Sequence, residues 1–579
     1  MIDSTSDIAG PEKATTPIGR RRFMAYCSAV GLGGAVPATL WAQAQQEGAV
    51  TKEMLATAEE LVGLEFTDEE RELMLQGLNR NLSSYQALRE HDIPNSVAPA
   101  ISFDPLLPGT LPPTEHKAFR YTRPVGVTRP LNLEALAFEP VTVLSELIRT
   151  KQVTSTELTQ MYLARLERHD PTLFCVITLT EERALRQARQ ADAEIARGHY
   201  RGPLHGIPWG AKDLLSVPEY RTTWGAKPYE HQQTGETATV VERLDDAGAV
   251  LVAKLTLGAL AQGDVWFGER TRNPWNPEEG SSGSSAGPAS ATAAGLVGFA
   301  IGSETLGSII SPATRCGVTG LRPTFGHVSR YGAMALSWTM DKLGPMCRSV
   351  EDCALVMHTI HGADGKDGTV RDVPFNWDPA VHPRELRVGY LKSAFEEERR
   401  ENQEDQREAD LRSLEVLREV GVDLIPFSLP DELPIGAMRI ILSAEAAAAF
   451  NELTMSGRDD LLVRQGQGGW GNTFRTARMT PAVEYIQANR LRTIAMGEMA
   501  ARFAGIDVFV APSFVGQTLT LTNLTGHPAV VVPNGFRDNG TPLSISFIGK
   551  LYGDAEALAV AKAYQDATNF HGRKPERFV

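Results

Sequence analysis

Cysteine is scarce, five in 579 residues. Cys27, Cys175, Cys316, Cys347 and Cys353 make no C-x-x-C pair and have no histidine pattern beside them, so the common zinc spacings are excluded. No metal site and no cofactor is therefore expected, and the four cysteines after Cys27 read as small buried hydrophobes. Spacing alone selects no disulfide pairing among them. Basic residues are also in deficit: 57 Lys and Arg face 71 Asp and Glu, a net charge of -14, the wrong balance for a nucleic-acid partner. No apolar run approaches the ~20 residues a membrane helix needs, so no membrane span is expected. No His and Asp pair is apparent at a G-x-S-x-G elbow, which sets aside the usual serine-hydrolase triad. There is no internal repeat. Against these absences, 42% apolar and 22% charged residues are ordinary for a globular protein with a substantial core.

The first 44 residues read as an address. Arg20-Arg21-Arg22-Phe23-Met24 follows a polar start, a Gly- and Ala-rich stretch runs from Ala25 to Leu40, and Ala42-Gln43-Ala44 supplies an A-x-A cleavage pattern. The pattern resembles a twin-arginine export signal with Arg20 and Arg21 as the pair, implying a periplasmic or secreted protein. Pro37 and several glycines interrupt the stretch, against a membrane anchor.

Residues 45–137 read as a helical extension and linker. Thr67 and Glu70 form a capping box, Leu75, Leu78 and Leu82 follow at helical spacing, and Ile93 to Pro113 is a proline-rich strap. Packing on the main domain is the simplest role for this extension; a lid or a homodimer contact is the alternative. From Phe138 onward helical and strand patterns alternate. Thr154 and Glu157 make a second capping box before Leu158, Met161, Tyr162 and Leu166. Val240, Val241, Leu244 and Ala247 form a helix stripe ended by Gly248, and Ala249 to Ala253 reads as a buried strand. Val422–Ile425, Val508–Val510 and Ala529–Val532 read as further strands. The charged run Glu396 to Glu408 mixes signs, as a solvated helix face does. Such alternation predicts an α/β fold with helices on both faces of a sheet over 138–579.

Composition changes abruptly at GSSGSSAGPASATAAGLVGFAIGSETLGS, from Gly280 to Ser308. Its small residues allow close backbone approach, yet its middle is too apolar for a flexible linker. Upstream lie Gly202-Pro203-Leu204-His205-Gly206-Ile207-Pro208 and Ala211-Lys212-Asp213-Leu214. Downstream come Ile309 to Ala313, Cys316 to Thr324, Asp341 to Pro345, Ser349 to Asp352, Asn523 to Ala529 and Gly549-Lys550. This ordered set resembles the amidase signature family, from about Phe138 to Thr568. The resemblance implies a large mixed central sheet covered by helices, and hydrolysis of the C–N bond of a small-molecule amide through an acyl-enzyme. It implies Ser308 as nucleophile, Ser284 as bridging serine behind a cis Gly283–Ser284 bond, Lys212 as base, and an oxyanion hole from the N–H groups of Thr305, Leu306 and Gly307. Gly280-Ser281-Ser282-Gly283 is a decoy of similar composition. The sequence departs from the family pattern at Leu306, where Gly-Gly is common before the nucleophile, and at Glu304, where Asp is common.

The residue types suit the chemistry. A serine hydroxyl needs a base to become a nucleophile. A lysine serves only when neutral, and desolvation favours the neutral amine. Asp213 reads as support for the lysine motif, and His205, His327 and His527 as structural histidines. Trp266, Phe267, Trp338 and Met340 are candidate substrate-binding residues or ordinary core. Two rivals share these residues: an esterase or urethane hydrolase with the same triad, and a non-catalytic binding protein on the same fold. Within the family, a tRNA-dependent amidotransferase subunit fits less well, given the export pattern and the short connection from Ser513 to Asn523. One test concerns the address: changing Arg20 and Arg21 together to Lys is expected to abolish export while leaving a folded enzyme. Unchanged periplasmic yield would refute the signal reading.

Overall fold

The computed structural model describes residues 50–89, 91, 93–396 and 404–579. The twin-arginine pattern and its cleavage motif lie outside the described residues. The chain divides into two units, Met1–Asp92 and Ile93–Val579.

In the first unit, helix Lys52–Val62 is capped by Thr51, whose hydroxyl accepts from Met54 N, and is ended by Gly63 in the left-handed region. Helix Asp68–Arg89 opens on the expected capping box: Glu70 Oε2 accepts from Thr67 N at 2.7 Å, and Thr67 Oγ1 from Glu70 N at 3.2 Å. Arg71 ties the two helices together through Glu59 at 2.9 Å.

Among the described residues the second unit carries thirteen strands: β1 Val176–Leu179, β2 Pro208–Lys212, β3 Val250–Leu255, β4 Arg272–Asn273, β5 Asn276–Gly280, β6 Phe299–Glu304, β7 Thr319–Arg322, β8 Lys342–Cys347, β9 Val388–Leu391, β10 Leu424–Phe427, β11 Val508–Pro512, β12 Ala529–Phe536 and β13 Pro542–Gly549. Eleven form one sheet in the order β1-β3-β2-β6-β8-β7-β12-β13-β11-β9-β10, and β4 pairs with β5 alone. The sheet is mixed: β3, β2 and β6 are mutually parallel, β6 meets β8 antiparallel, and β11, β9 and β10 are parallel again. Its central strands are buried on both faces, which is why β3 reads as the unbroken apolar run Val-Leu-Val-Ala. Along β12 the period of two separates the faces. Val530 and Val532 join one apolar cluster, Ala529 and Val531 another.

The capping box of Thr154 and Glu157 is present on helix Ser155–Leu173. Helix Thr239–Asp246 turns into β3 through Gly248, with φ +78°. The edge strand expected at Val422–Ile425 lies two residues later, because Val422 is still used to close the turn onto Leu417 O. Residues 93–137 belong with the second unit, anchored by side chains that the proline content conceals: Phe119 stacks on His358 at 3.8 Å, Phe103 meets Phe325 edge-on at 5.0 Å, and Lys117 N donates to Asn376 Oδ1 at 2.9 Å.

Gly248 gives a test of this framework. A Cβ there would lie 2.3 Å from the buried His205 ring and would force a side chain into the left-handed region. Gly248→Ala is expected to lower stability by about 2 kcal/mol or more, measured by urea unfolding; an unchanged midpoint would show that the turn is less constrained.

Candidate active site

Strands β2 and β6 lie side by side and parallel, and each ends in chemistry: β2 at Lys212, β6 at Glu304 followed by the turn 305–308. Carboxyl ends of adjacent parallel strands are where α/β sheets present their ligand sites. The small-residue tract supplies the third wall. Ser284 and Ser285 precede the wholly buried helix Ala286–Ala293, and the Gly283–Ser284 peptide bond is cis. Ser285 N donates to Ser308 O at 3.1 Å, which brings the serine loop against the turn after β6.

Lys212 is completely buried. Its Nζ lies 2.8 Å from Ser284 Oγ, 2.8 Å from Ser303 Oγ and 3.0 Å from Ser285 Oγ. These contacts are hydroxyls, and no carboxylate is within ion-pair distance among the described residues. Burial pushes the amine well below its ordinary range, a shift that the more distant carboxylates of Asp341 and Glu304 oppose without cancelling. Ser285 Oγ also bonds both the N–H and the C=O of Ser303 at 3.1 Å, so it clips the serine loop to β6. Ser303 and Ser285 are functional candidates that motif reasoning passed over. Their only signal in the sequence is that they neighbour Glu304 and Ser284.

Ser308 is partly exposed, and its hydroxyl has no hydrogen-bond partner among the described residues. The N–H groups of Thr305, Leu306 and Gly307 likewise donate to no protein acceptor among them. The left-handed backbone falls on Gly307, φ +83°, and not on Leu306, so a leucine is accommodated where glycine is common. Ser282 points elsewhere: its Oγ pairs with Ser311 Oγ at 2.7 Å.

Glu304 braces the turn from beneath. Its carboxylate accepts from Ile309 N at 2.9 Å, Ile310 N at 3.0 Å, Asn523 Nδ2 at 2.8 Å and Arg322 Nη1 at 2.9 Å, all buried. Burial alone would raise this carboxyl, but Arg322 and the other donors outweigh it and hold it down to about 2. Asp213 is structural, paired with Lys254 at 2.7 Å and with Thr223. The histidines are structural as well: Asp554 engages His327, Thr525 engages His527, and Arg201 N donates to His205.

A cavity of about 600 Å³ opens beside the turn, walled by Ser303, Thr305, Asp341, Leu336 and Trp338 among others. Of the four candidate substrate-binding residues, Trp338 lines it. Met340 is packed in the core with Ile309 and Leu521, while Trp266 and Phe267 meet edge-on at 5.0 Å, away from its wall.

The Amidase family matches residues 157–521, an interval that contains Lys212, Ser284, Ser285 and the stretch from Ser303 to Ser308. The chain belongs to the amidase family. A glutamyl-tRNA(Gln) amidotransferase subunit of Thermosynechococcus vestitus is 34% identical over 485 residues, spanning 75% of this chain and 100% of that protein. The corresponding subunit of Roseiflexus castenholzii is 36% identical over 477 residues, 74% and 96% respectively. Among solved structures, a peptide amidase bound to the competitive inhibitor chymostatin superposes with TM-score 0.68 at 31% identity, covering 75% of this chain and 98% of that one. The native peptide amidase of Stenotrophomonas maltophilia gives 0.67 at 30%, with the same coverage. The fold is thus the amidase signature fold, and this amidase acts on carbon–nitrogen bonds.

The Glu304 brace makes a pH prediction. A carboxyl held to about 2 in the folded amidase, against 4.5 when unfolded, adds stability that is complete above pH 4.5 and is lost as pH falls towards about 2. Urea midpoints taken down this range should fall steeply for the wild type. Glu304→Gln should be less stable at neutral pH and show a shallower fall; parallel curves would remove Glu304 as the titrating group.

Proposed function

We propose that this protein is an exported amidase that hydrolyses a carboxylic amide through an acyl-enzyme on Ser308, with Lys212 as base and Ser284 as proton relay. The observation that carries the reading is a fully buried amine 2.8 Å from Ser284 Oγ with hydroxyls, not a carboxylate, around it. Burial of this kind favours the neutral amine, the form able to accept a proton. Ser308 Oγ attacks the amide carbonyl while its proton passes to Ser284 and that of Ser284 to Lys212. The free N–H groups of Thr305, Leu306 and Gly307 supply donors for the oxyanion. Collapse of the tetrahedral intermediate returns the proton through Ser284 to the leaving nitrogen, without which an amine is a poor leaving group. Water then enters, gives its proton along the same relay, and releases the acid. The twin-arginine pattern assigns this chemistry to the periplasm or the medium.

A second reading is favoured by the names of the curated relatives, which are glutamyl-tRNA(Gln) amidotransferase subunits. In that case the isolated chain would need partner subunits and glutamine. Turnover of simple amides by the purified chain alone supports the first reading.

Steady-state kinetics on one amide and its matched ester test the roles. Lys212→Ala is expected to lose amide and ester turnover, about 10³-fold or more, with the fold retained. Ser308→Ala should also lose labelling by a fluorophosphonate probe. Ser284→Ala should be severely impaired on the amide but keep slow ester cleavage, and Ser282→Ala should stay near wild type. Activity should rise from acid to neutral pH as Lys212 gives up its proton. Wild-type amide turnover by Lys212→Ala would overturn the mechanism; a dead Ser282→Ala beside an active Ser284→Ala would reassign the relay.

A further inference from the structure

The family match begins at residue 157, yet one wall of the cavity beside the catalytic turn comes from residues 95–102. This stretch is a bridge pinned at both ends. At one end Asn95 reads the main chain of Ala335 twice: its Nδ2 donates to Ala335 O and its Oδ1 accepts from Ala335 N, both at 2.8 Å. At the other, Phe103 packs edge-on against Phe325, with the Arg492 guanidinium 3.5 Å above its ring, and Asp104 pairs with Arg371. Between these anchors, Ala98 to Ser102 make no main-chain hydrogen bond among the described residues. The span lines the cavity with Ala98, Pro99, Ala100, Ile101 and Ser102, all small but Ile101. Leu336 and Trp338 line the same cavity and follow Ala335, the residue that Asn95 holds. The same loop is fixed to the catalytic turn from its other end: Asp341 Oδ2 accepts from Leu336 N at 2.8 Å and Ser337 N at 2.9 Å, while its Oδ1 accepts from Thr305 Oγ1 at 2.5 Å. Bridge, loop and oxyanion turn are thereby linked in series by Asn95 and Asp341.

We propose that the bridge 95–102 is the size-determining wall of the substrate cavity, with Asn95 as the positioning residue that sets its distance from Trp338. The proposal rests on the catalytic reading above and adds the class of substrate. A cavity of about 600 Å³ lined by Leu336 and Trp338 but also by Glu236, Arg330, Lys366 and Asp367 takes a group of drug-like size, with apolar and polar parts, attached to the scissile amide. The small side chains of the bridge leave that room; a large one would remove it. A bridge without helix or sheet hydrogen bonds keeps its place only through its anchors, so loosening Asn95 widens the cavity rather than unfolding the enzyme.

The test uses the full-length mature enzyme and two series of amides, one varying acyl length at a fixed amine and one varying amine bulk at a fixed acyl group. A small fluorophosphonate that reaches Ser308 without filling the cavity serves as common control. Ala100→Trp is expected to change the large-to-small ratio of kcat/KM, with fluorophosphonate labelling measured alongside. In one of the series it should cut kcat/KM for the largest members about tenfold or more, the scale on which pockets discriminate apolar bulk. Asn95→Ala should shift the large-to-small ratio in the opposite direction, and Asn95→Gln should partly restore it. Equal effects on small and large substrates in both series, or no effect in either, would overturn the proposal. Failure of the control probe to label the wild-type enzyme would instead bring down the Ser308 reading, and this proposal with it.

Discussion

Removing one amine from water is the constraint from which the rest of the site follows. Lys212 lies at the end of a strand buried on both faces, and every group within hydrogen-bonding distance of its Nζ is uncharged. A carboxylate at the same distance would hold the ammonium form and destroy the base; hydroxyls stabilise the amine's position without charging it. That requirement explains the company Lys212 keeps. Ser284, Ser285 and Ser303 supply three hydroxyls, and only a tract of glycine, alanine and serine brings the chain close enough for all three to reach one nitrogen.

The charge that this centre excludes is placed one layer away. Glu304, the residue after Ser303, turns its carboxylate toward Arg322, Asn523 and the first N–H groups of helix Ile310–Cys316. A buried pair of this kind contributes little net stability but is costly to break, by about 3–5 kcal/mol when one partner is removed. Its value lies in geometry: it fixes the strand end, the turn and the following helix relative to one another, so that the N–H groups of residues 305–307 remain free. Asp341 performs the corresponding task on the cavity side, joining Thr305 to the loop that carries Trp338.

In the proposed reading, the chemistry and the selectivity are carried by different parts of the chain. Parallel strands β2 and β6 and the serine loop hold the reacting groups and lie within the family match. The cavity in front of them is completed by a proline-rich stretch outside that match, joined through one asparagine to the loop after Met334. A rigid centre with a separately attached wall allows substrate shape to change without disturbing the base.

Local patterns alone determined much of this. The capping boxes at Thr67 and Thr154, the Gly248 turn, the continuous apolar run of β3 and the alternating α/β order follow from short-range rules, because caps and turns involve residues three or four apart. Lys212, Ser284 and Ser308 were singled out through ordered motifs, and Lys212 Nζ lies 2.8 Å from Ser284 Oγ. What sequence could not decide was direction and company over long range. Whether Met340 faces core or cavity depends on which side of a loop is pinned, and Asp341 pins it so that Trp338 meets the cavity while Met340 packs against Ile309. That Ser303 and Ser285 share the lysine, that Leu306 escapes the left-handed conformation taken by Gly307, and that residues 95–102 wall the cavity all depend on contacts between segments far apart in the chain. Such contacts leave no periodic signature, because close packing of distant surfaces is set by the whole fold rather than by any one segment.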